Sequence, residues 1–160
     1  MTTTKQRVAV HAIPSRRLSA VCTTGQDGHG NPVTAYPATG GEPLRCCLTC
    51  ATAGETIALI SYAPFEHASP WREVGPVYIH AEACGGYRTG AELPSQLRSG
   101  QRLLRTYHAD DTMNYAHNIL VEDGEDIEGR LNQLLSLSDV ATVHVRTVLP
   151  QCFLYAVTTS

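Results

Sequence analysis

Apolar positions along the chain fall in short runs divided by turn residues, and their spacing sets the elements to expect. The run Thr56-Ile57-Ala58-Leu59-Ile60-Ser61-Tyr62 is continuous and strand-sized, and reads as a fully buried strand. Pro76-Val77-Tyr78-Ile79-His80 alternates, which places Val77 and Ile79 on one face and Tyr78 and His80 on the other. Residues 103–108 and 118–121 are further strand candidates. The stretch 142–148 alternates clearly, and 152–158 follows it after Leu149-Pro150-Gln151, the pattern of a C-terminal hairpin. One helix is well signalled: Glu125 and Asp126 put negative charge in its first turn, and Ile127, Leu131, Leu134 and Leu135 share a face. A second, shorter helix is expected within 93–104, after Pro94. The segment 24–43 is dense in Gly, Pro, Asn and Asp and predicts turns and a long surface loop, of the kind that serves as a lid or binding loop.

Strands outnumber helices, and most connections are too short for right-handed crossovers. The expected class is α+β, a mainly antiparallel sheet with one or two packed helices. No repeat and no compositional shift divides the chain, so 1–160 is expected to form a single domain.

Composition narrows the function. Of 160 residues, 42% are hydrophobic and 17% charged, a globular balance. The formal net charge is −3 and no Lys/Arg run exists to follow a phosphate backbone, so nucleic acid is not an expected partner. No stretch approaches the ~20 apolar residues that span a bilayer, and 1–7 is followed by no apolar signal core. A cytoplasmic protein without a membrane partner is expected. An exposed sheet edge would allow a homodimer.

In a reducing compartment, six cysteines are more informative as core, metal or reactive groups than as disulfides. Cys22 sits in the apolar run Leu18-Ser19-Ala20-Val21-Cys22 and is expected to be a buried small side chain. Cys47 and Cys50 form a C-x-x-C, and His80 and Cys84 an H-x-x-x-C about 30 residues later. Together they make the Cys₃His ligand set of a tetrahedral zinc site. Buried, inert thiols explain the same residues and stay open as an alternative. A thioredoxin-like pair fits less well, because Cys47-Leu48-Thr49-Cys50 precedes a strand instead of following one.

His144 and Arg146, two apart on one strand, should share a face and could read an anion, with His144 able to move a proton near neutral pH. Arg45, Glu73, Tyr107 and His80 are candidates to join them. Glu73 would orient a histidine as a general-base partner, or simply pair with Arg72. No nucleotide-binding glycine motif and no G-x-S-x-G elbow occurs, and Asp110-Asp111 reads as a turn.

Several segments together resemble a bacterial family catalogued as domain of unknown function 1203. They are Leu44-Arg45 with Gly54-Glu55, Leu59-Ile60-Ser61-Tyr62, Ser69-Pro70-Trp71 running into Gly75-Pro76-Val77-Tyr78-Ile79-His80, and Val143-His144-Val145-Arg146 followed by Cys152-Phe153-Leu154. The resemblance implies a compact bacterial domain and carries no established activity. It makes Arg45, Ser69, Gly75, Pro76, His144, Arg146 and Cys152 signature positions, and so adds Ser69 and Cys152 to the candidate ligand-binding residues. Leu44 replaces a frequent Cys, Cys50 an Asp and Thr147 an Asn, departures that favour an Arg/His-lined pocket over a shared metal site.

The leading expectation is therefore a small-molecule-binding protein that could work as a cofactor-independent enzyme on an acidic or carbonyl-containing metabolite. His144, His80 and Glu73 would be its acid–base groups, and Arg45, Arg146, Ser69, Tyr107 and Cys152 would hold the ligand. The alternative is a zinc-stabilised interaction module built on Cys47, Cys50, His80 and Cys84, without catalytic activity.

Overall fold

A computed structural model describes residues 7–90 and 92–160. Most of the N-terminal stretch read above for a leader, 1–6, lies outside them. In chain order the elements are β1 (Val8–His11), α1 (Ser15–Thr24), β2 (Ala35–Pro37), β3 (Pro43–Leu44), β4 (Thr49–Cys50), β5 (Thr56–Tyr62) and β6 (Gly75–His80). They continue with β7 (Arg102–Tyr107), β8 (Ile119–Val121), α2 (Ile127–Leu135), β9 (Thr142–Arg146) and β10 (Phe153–Thr159). The strands form two five-stranded sheets, ordered β1-β10-β9-β7-β8 and β2-β5-β6-β3-β4. Pairing is antiparallel except between β3 and β6, where Leu44 lies beside Tyr78 in parallel. The class is thus α+β with mainly antiparallel sheets, as the apolar pattern predicts. No helix among the described residues is long and apolar enough to cross a membrane.

The first sheet is covered on one face by α2. Asp126 caps this helix by accepting from the Gly129 N–H at 3.1 Å, and Ile127, Leu131, Leu134 and Leu135 are all buried. They pack on Leu104, Val143, Val145, Tyr155 and Val157 from the strands. The second sheet has its own core, where Val21 from α1 meets Leu44, Ile57, Ile60, Val77 and Ile79.

Phe153 joins the two halves. Arg146 pairs with Phe153 and Val145 with Tyr155, so Leu154 is an extra residue, a β-bulge. Strict alternation would put Phe153 on the side of Tyr155 and Val157. The bulge turns it to the opposite face, where it enters the core of the second sheet and lies 5.6 Å from the Tyr62 ring.

Four local expectations are corrected. First, α1 was not foreseen: Arg16 and Arg17 interrupt its apolar face, and only Val21 is fully buried on it. The helix faces Cys22 outward, so this thiol is exposed and is not a core residue. Second, the 93–104 helix shrinks to a 3₁₀ turn, Ser95–Leu97, because Gly100 turns the chain at φ +90° and β7 begins at Arg102. Third, β5 is not buried throughout, since Leu59 is 45% exposed. Fourth, His144 and Arg146 share a face as expected, but that face is covered too, and both residues are buried.

Within 24–43 the chain folds back on itself. The buried Asp27 carboxylate accepts from the N–H groups of His29, Asn31 and Ser61, and β2 pairs with β5. Burial raises the Asp27 pKa, but these hydrogen bonds outweigh it and bring the carboxylate down to about 2.

Candidate metal centre and a neighbouring arginine cavity

β3 and β4 are joined by a tight turn through Arg45, Cys46, Cys47 and Leu48. Leu48 closes it in the left-handed region, at φ 58°, with its N–H on the Leu44 carbonyl at 2.9 Å. A leucine tolerates that conformation poorly, and its complete burial in the first core holds it there. In a turn, successive side chains need not alternate between faces, so Cys46 and Cys47 can aim at one point.

That point is shared with His80, the last residue of β6, and with Cys84 just beyond it. The ligating atoms of Cys46, Cys47, His80 and Cys84 all lie within 4.8 Å of one another, and the group could hold a metal ion. The two adjacent sulfurs are 3.9 Å apart, and they lie 3.5 and 3.8 Å from His80 Nδ1. Bonds of about 2.3 Å to sulfur and about 2.0 Å to nitrogen at tetrahedral angles would place two sulfurs about 3.8 Å apart, and sulfur and nitrogen about 3.5 Å apart.

The surroundings match this donor set. His80 Nε2 lies 3.1 Å from Glu55 Oε1, which fixes the ring with Nδ1 free to ligate. The His80 backbone N–H donates to Cys46 Sγ at 3.3 Å, and Thr49 Oγ1 sits 3.0 Å from Cys47 Sγ. Burial lowers the His80 pKa, but Glu55 and the sulfurs of Cys84 and Cys47 outweigh it and raise it overall. The Cys46 thiol donates to Cys47 Sγ. The hydrogen bond from Cys46 draws Cys47 down to about 5, while that bond and burial push Cys46 up. The contact thus favours the thiolate on Cys47 over Cys46.

Cys50 is not in this group, and Cys46 takes the place expected for it. The turn at Leu48 returns the chain to extended structure, and β4 carries Cys50 away. Its N–H donates to Gln96 Oε1 at 2.7 Å, and its Sγ points to the Gln96 carbonyl.

A second polar feature lies where β7, β9 and the β9–β10 turn meet. Arg105 pairs with His144 across the strands, so Arg105 and Arg146 are diagonal neighbours on one face. Glu73 bridges them: Oε1 is 2.6 Å from Arg105 Nη1, and Oε2 is 3.0 Å from Arg146 Nη2. Gln151, at φ 56°, gives its backbone carbonyl to Arg146 at 2.9 Å and its side-chain oxygen to Arg105 at 2.8 Å. These groups line a cavity of about 390 Å³ together with Gly75, Pro76 and Cys152.

Of the residues of the leading expectation, Glu73, Arg146 and Cys152 line this cavity, and the others lie elsewhere. His144 is packed among aromatic rings, with centroids 4.5 Å from Tyr107, 4.8 Å from Phe65 and 5.1 Å from Phe153. Burial, reinforced by Arg146 and Arg105, lowers its pKa to about 3, so the ring is neutral. Arg45 is buried as well. Its Nε donates to the Phe153 carbonyl at 2.7 Å and its Nη1 to the Pro43 carbonyl. Burial brings its pKa down to about 10, against the opposing influence of Cys152 and Tyr78. Tyr107 is buried beside His144, and Ser69 accepts from the Trp71 N–H in a loop turn. His80 belongs to the thiol cluster. Glu73 pairs with Arg105 and Arg146, and contacts neither histidine as a general-base partner.

Cys46, Glu55, Arg105 and Gln151 are not among the candidate site residues the sequence offers, though Glu55 lies in a segment that carries the family resemblance. The Cys46-Cys47 doublet was visible, but adjacent residues do not ordinarily chelate together unless a turn is known. The alternation of Leu104, Arg105 and Thr106 could have marked Arg105 as a neighbour of the covered face.

No curated protein and no solved structure matches this chain. A family model described as "Protein of unknown function (DUF1203)" matches residues 41–159, which takes in both the thiol cluster and the arginine cavity. The chain belongs to that family, DUF1203.

Proposed function

We propose that Cys46, Cys47, His80 and Cys84 hold one zinc ion, which fastens the β3–β4 turn to the end of β6 and to the segment after it. The observation that carries this reading is the donor spacing: Cys46 Sγ, Cys47 Sγ and His80 Nδ1 lie 3.5 to 3.9 Å apart, close to tetrahedral values, and Cys84 lies within 4.8 Å of them. Four protein ligands complete the tetrahedron and leave no position for substrate, so the role is structural. Metal content measured after purification in zinc tests it. One zinc per chain is expected for the wild type and for Cys50→Ser, and loss of most of it for Cys46→Ser or Cys84→Ser. Equal zinc in all four proteins would contradict the assignment.

A second reading, a small-molecule-binding protein, is favoured by the cavity under Cys152. Gly75, Pro76, Arg146 and Cys152, positions that the family resemblance singles out, all line it. On this reading Arg146 and Arg105 hold an acidic ligand. His144 and Arg45 stabilise the wall behind them and take no part in proton transfer.

A further inference from the structure

The charges around the cavity are unbalanced. Arg105 and Arg146 face it with a single carboxylate, Glu73, between them. The two guanidiniums are fixed by strands β7 and β9 and by Gln151, and the Arg146 side chain is 6% exposed with its Nε unpartnered. Glu73 is held differently. Its side chain is 47% exposed, and it sits on the irregular 63–74 connection between β5 and β6. Among the described residues its only hydrogen bonds and ion pairs are those its carboxylate makes to the two arginines. A rigid pair of cations therefore meets one loop-borne carboxylate, which it grips with one oxygen per arginine.

We propose that Glu73 is an internal stand-in for a ligand carboxylate, and that a small carboxylate ligand binds by displacing it from Arg105 and Arg146. This rests on the reading of the cavity as a ligand site and names its ligand class and its gate. The Glu73 carboxylate supplies the template: a planar oxyanion that spans both guanidiniums and leaves the rest of a ligand in a cavity of about 390 Å³. Binding is weakened by the fraction of molecules in which Glu73 occupies the site. Removing that carboxylate exposes the full affinity.

Titration of the wild type, Glu73→Gln, Arg105→Lys and Glu122→Gln with succinate, followed by calorimetry, tests this. Succinate should saturate the wild type weakly and Glu73→Gln about tenfold more tightly, as expected if about a tenth of molecules have Glu73 withdrawn. Arg105→Lys should bind less than the wild type, because an ammonium cannot reproduce the fork. Glu122→Gln, which removes the same charge elsewhere, should match the wild type. Saturable binding that Glu73→Gln leaves unchanged would overturn the displacement alone. Preference for inorganic phosphate over succinate would overturn the ligand class. Absence of saturable succinate binding to every form, Glu73→Gln included, would overturn the ligand-site reading itself.

Discussion

Stripping zinc from the loaded protein with a strong chelator should lower its melting temperature by about 10–20 °C. That corresponds to roughly 5 kcal/mol of linkage at 2–4 °C per kcal/mol for a chain of this size. The size follows from what the ion would tie together. Cys46 and Cys47 sit in the turn between two-residue strands, His80 ends β6, and Cys84 lies on a segment without regular structure. Such short strands contribute little by themselves. The described polar contacts of the cluster are weak ones: the Cys46–Cys47 hydrogen bond, the contacts of these sulfurs and of Cys84 with the His80 ring, the Glu55–His80 pair and single hydrogen bonds to Thr49 and the His80 backbone. Re-addition of zinc should restore the transition, and Cys50→Ser should respond as the wild type does. A melting curve indifferent to chelation in a protein shown to lose its zinc would remove the structural role.

The second large effect belongs to His144. Replacing it by alanine should destabilise the protein by about 3 kcal/mol, since the ring fills the space between Phe65, Tyr107 and Phe153. Its protonation has a separate signature. The folded state depresses its pKa from 6.5 to about 3, so the unfolded chain binds the proton more readily. The stabilising contribution of the neutral ring is complete above pH 6.5 and is lost as pH falls from there toward 3, at up to about 1.4 kcal/mol per pH unit. Urea midpoints at pH 7 and pH 5 measure this. His144→Phe keeps an aromatic ring in the cage and should lose that share of the acid sensitivity. Identical pH dependence in His144→Phe and the wild type would show that the buried imidazole does not titrate as described. The same environment favours a structural role for His144 over an acid–base one, because burial lowers its pKa and Phe65, Tyr107 and Phe153 enclose the ring.

What the sequence disclosed follows from where its signals are local. The boundaries of β5 and the apolar face of α2 were readable because a continuous strand-sized apolar run and a helix of period 3.6 with an acidic first turn leave their marks within ten residues. The fourth member of the Cys/His group was not. Cys47 and Cys50 have the spacing of a knuckle, yet the decisive fact is the left-handed turn at Leu48, a residue with no sequence preference for it. Tertiary packing sets that conformation, and with it Cys46 enters the cluster and Cys50 leaves it. The arginine site was half legible. Alternation along β9 put His144 and Arg146 on one face, but not the cover over that face. The cover depends on the Leu154 bulge, which redirects Phe153, and on the 63–74 connection, which brings in Phe65 and Glu73. Arg105 became a partner only through the register between β7 and β9, which no single strand encodes.

X-ray absorption at the zinc edge of the purified protein addresses the metal centre most directly. Three sulfurs at about 2.3 Å and one nitrogen at about 2.0 Å are expected for the wild type, with the sulfur count falling to two around the residual zinc that Cys46→Ser retains. A shell dominated by oxygen, or a sulfur count unchanged in Cys46→Ser and reduced in Cys50→Ser, would contradict the site built on Cys46, Cys47, His80 and Cys84.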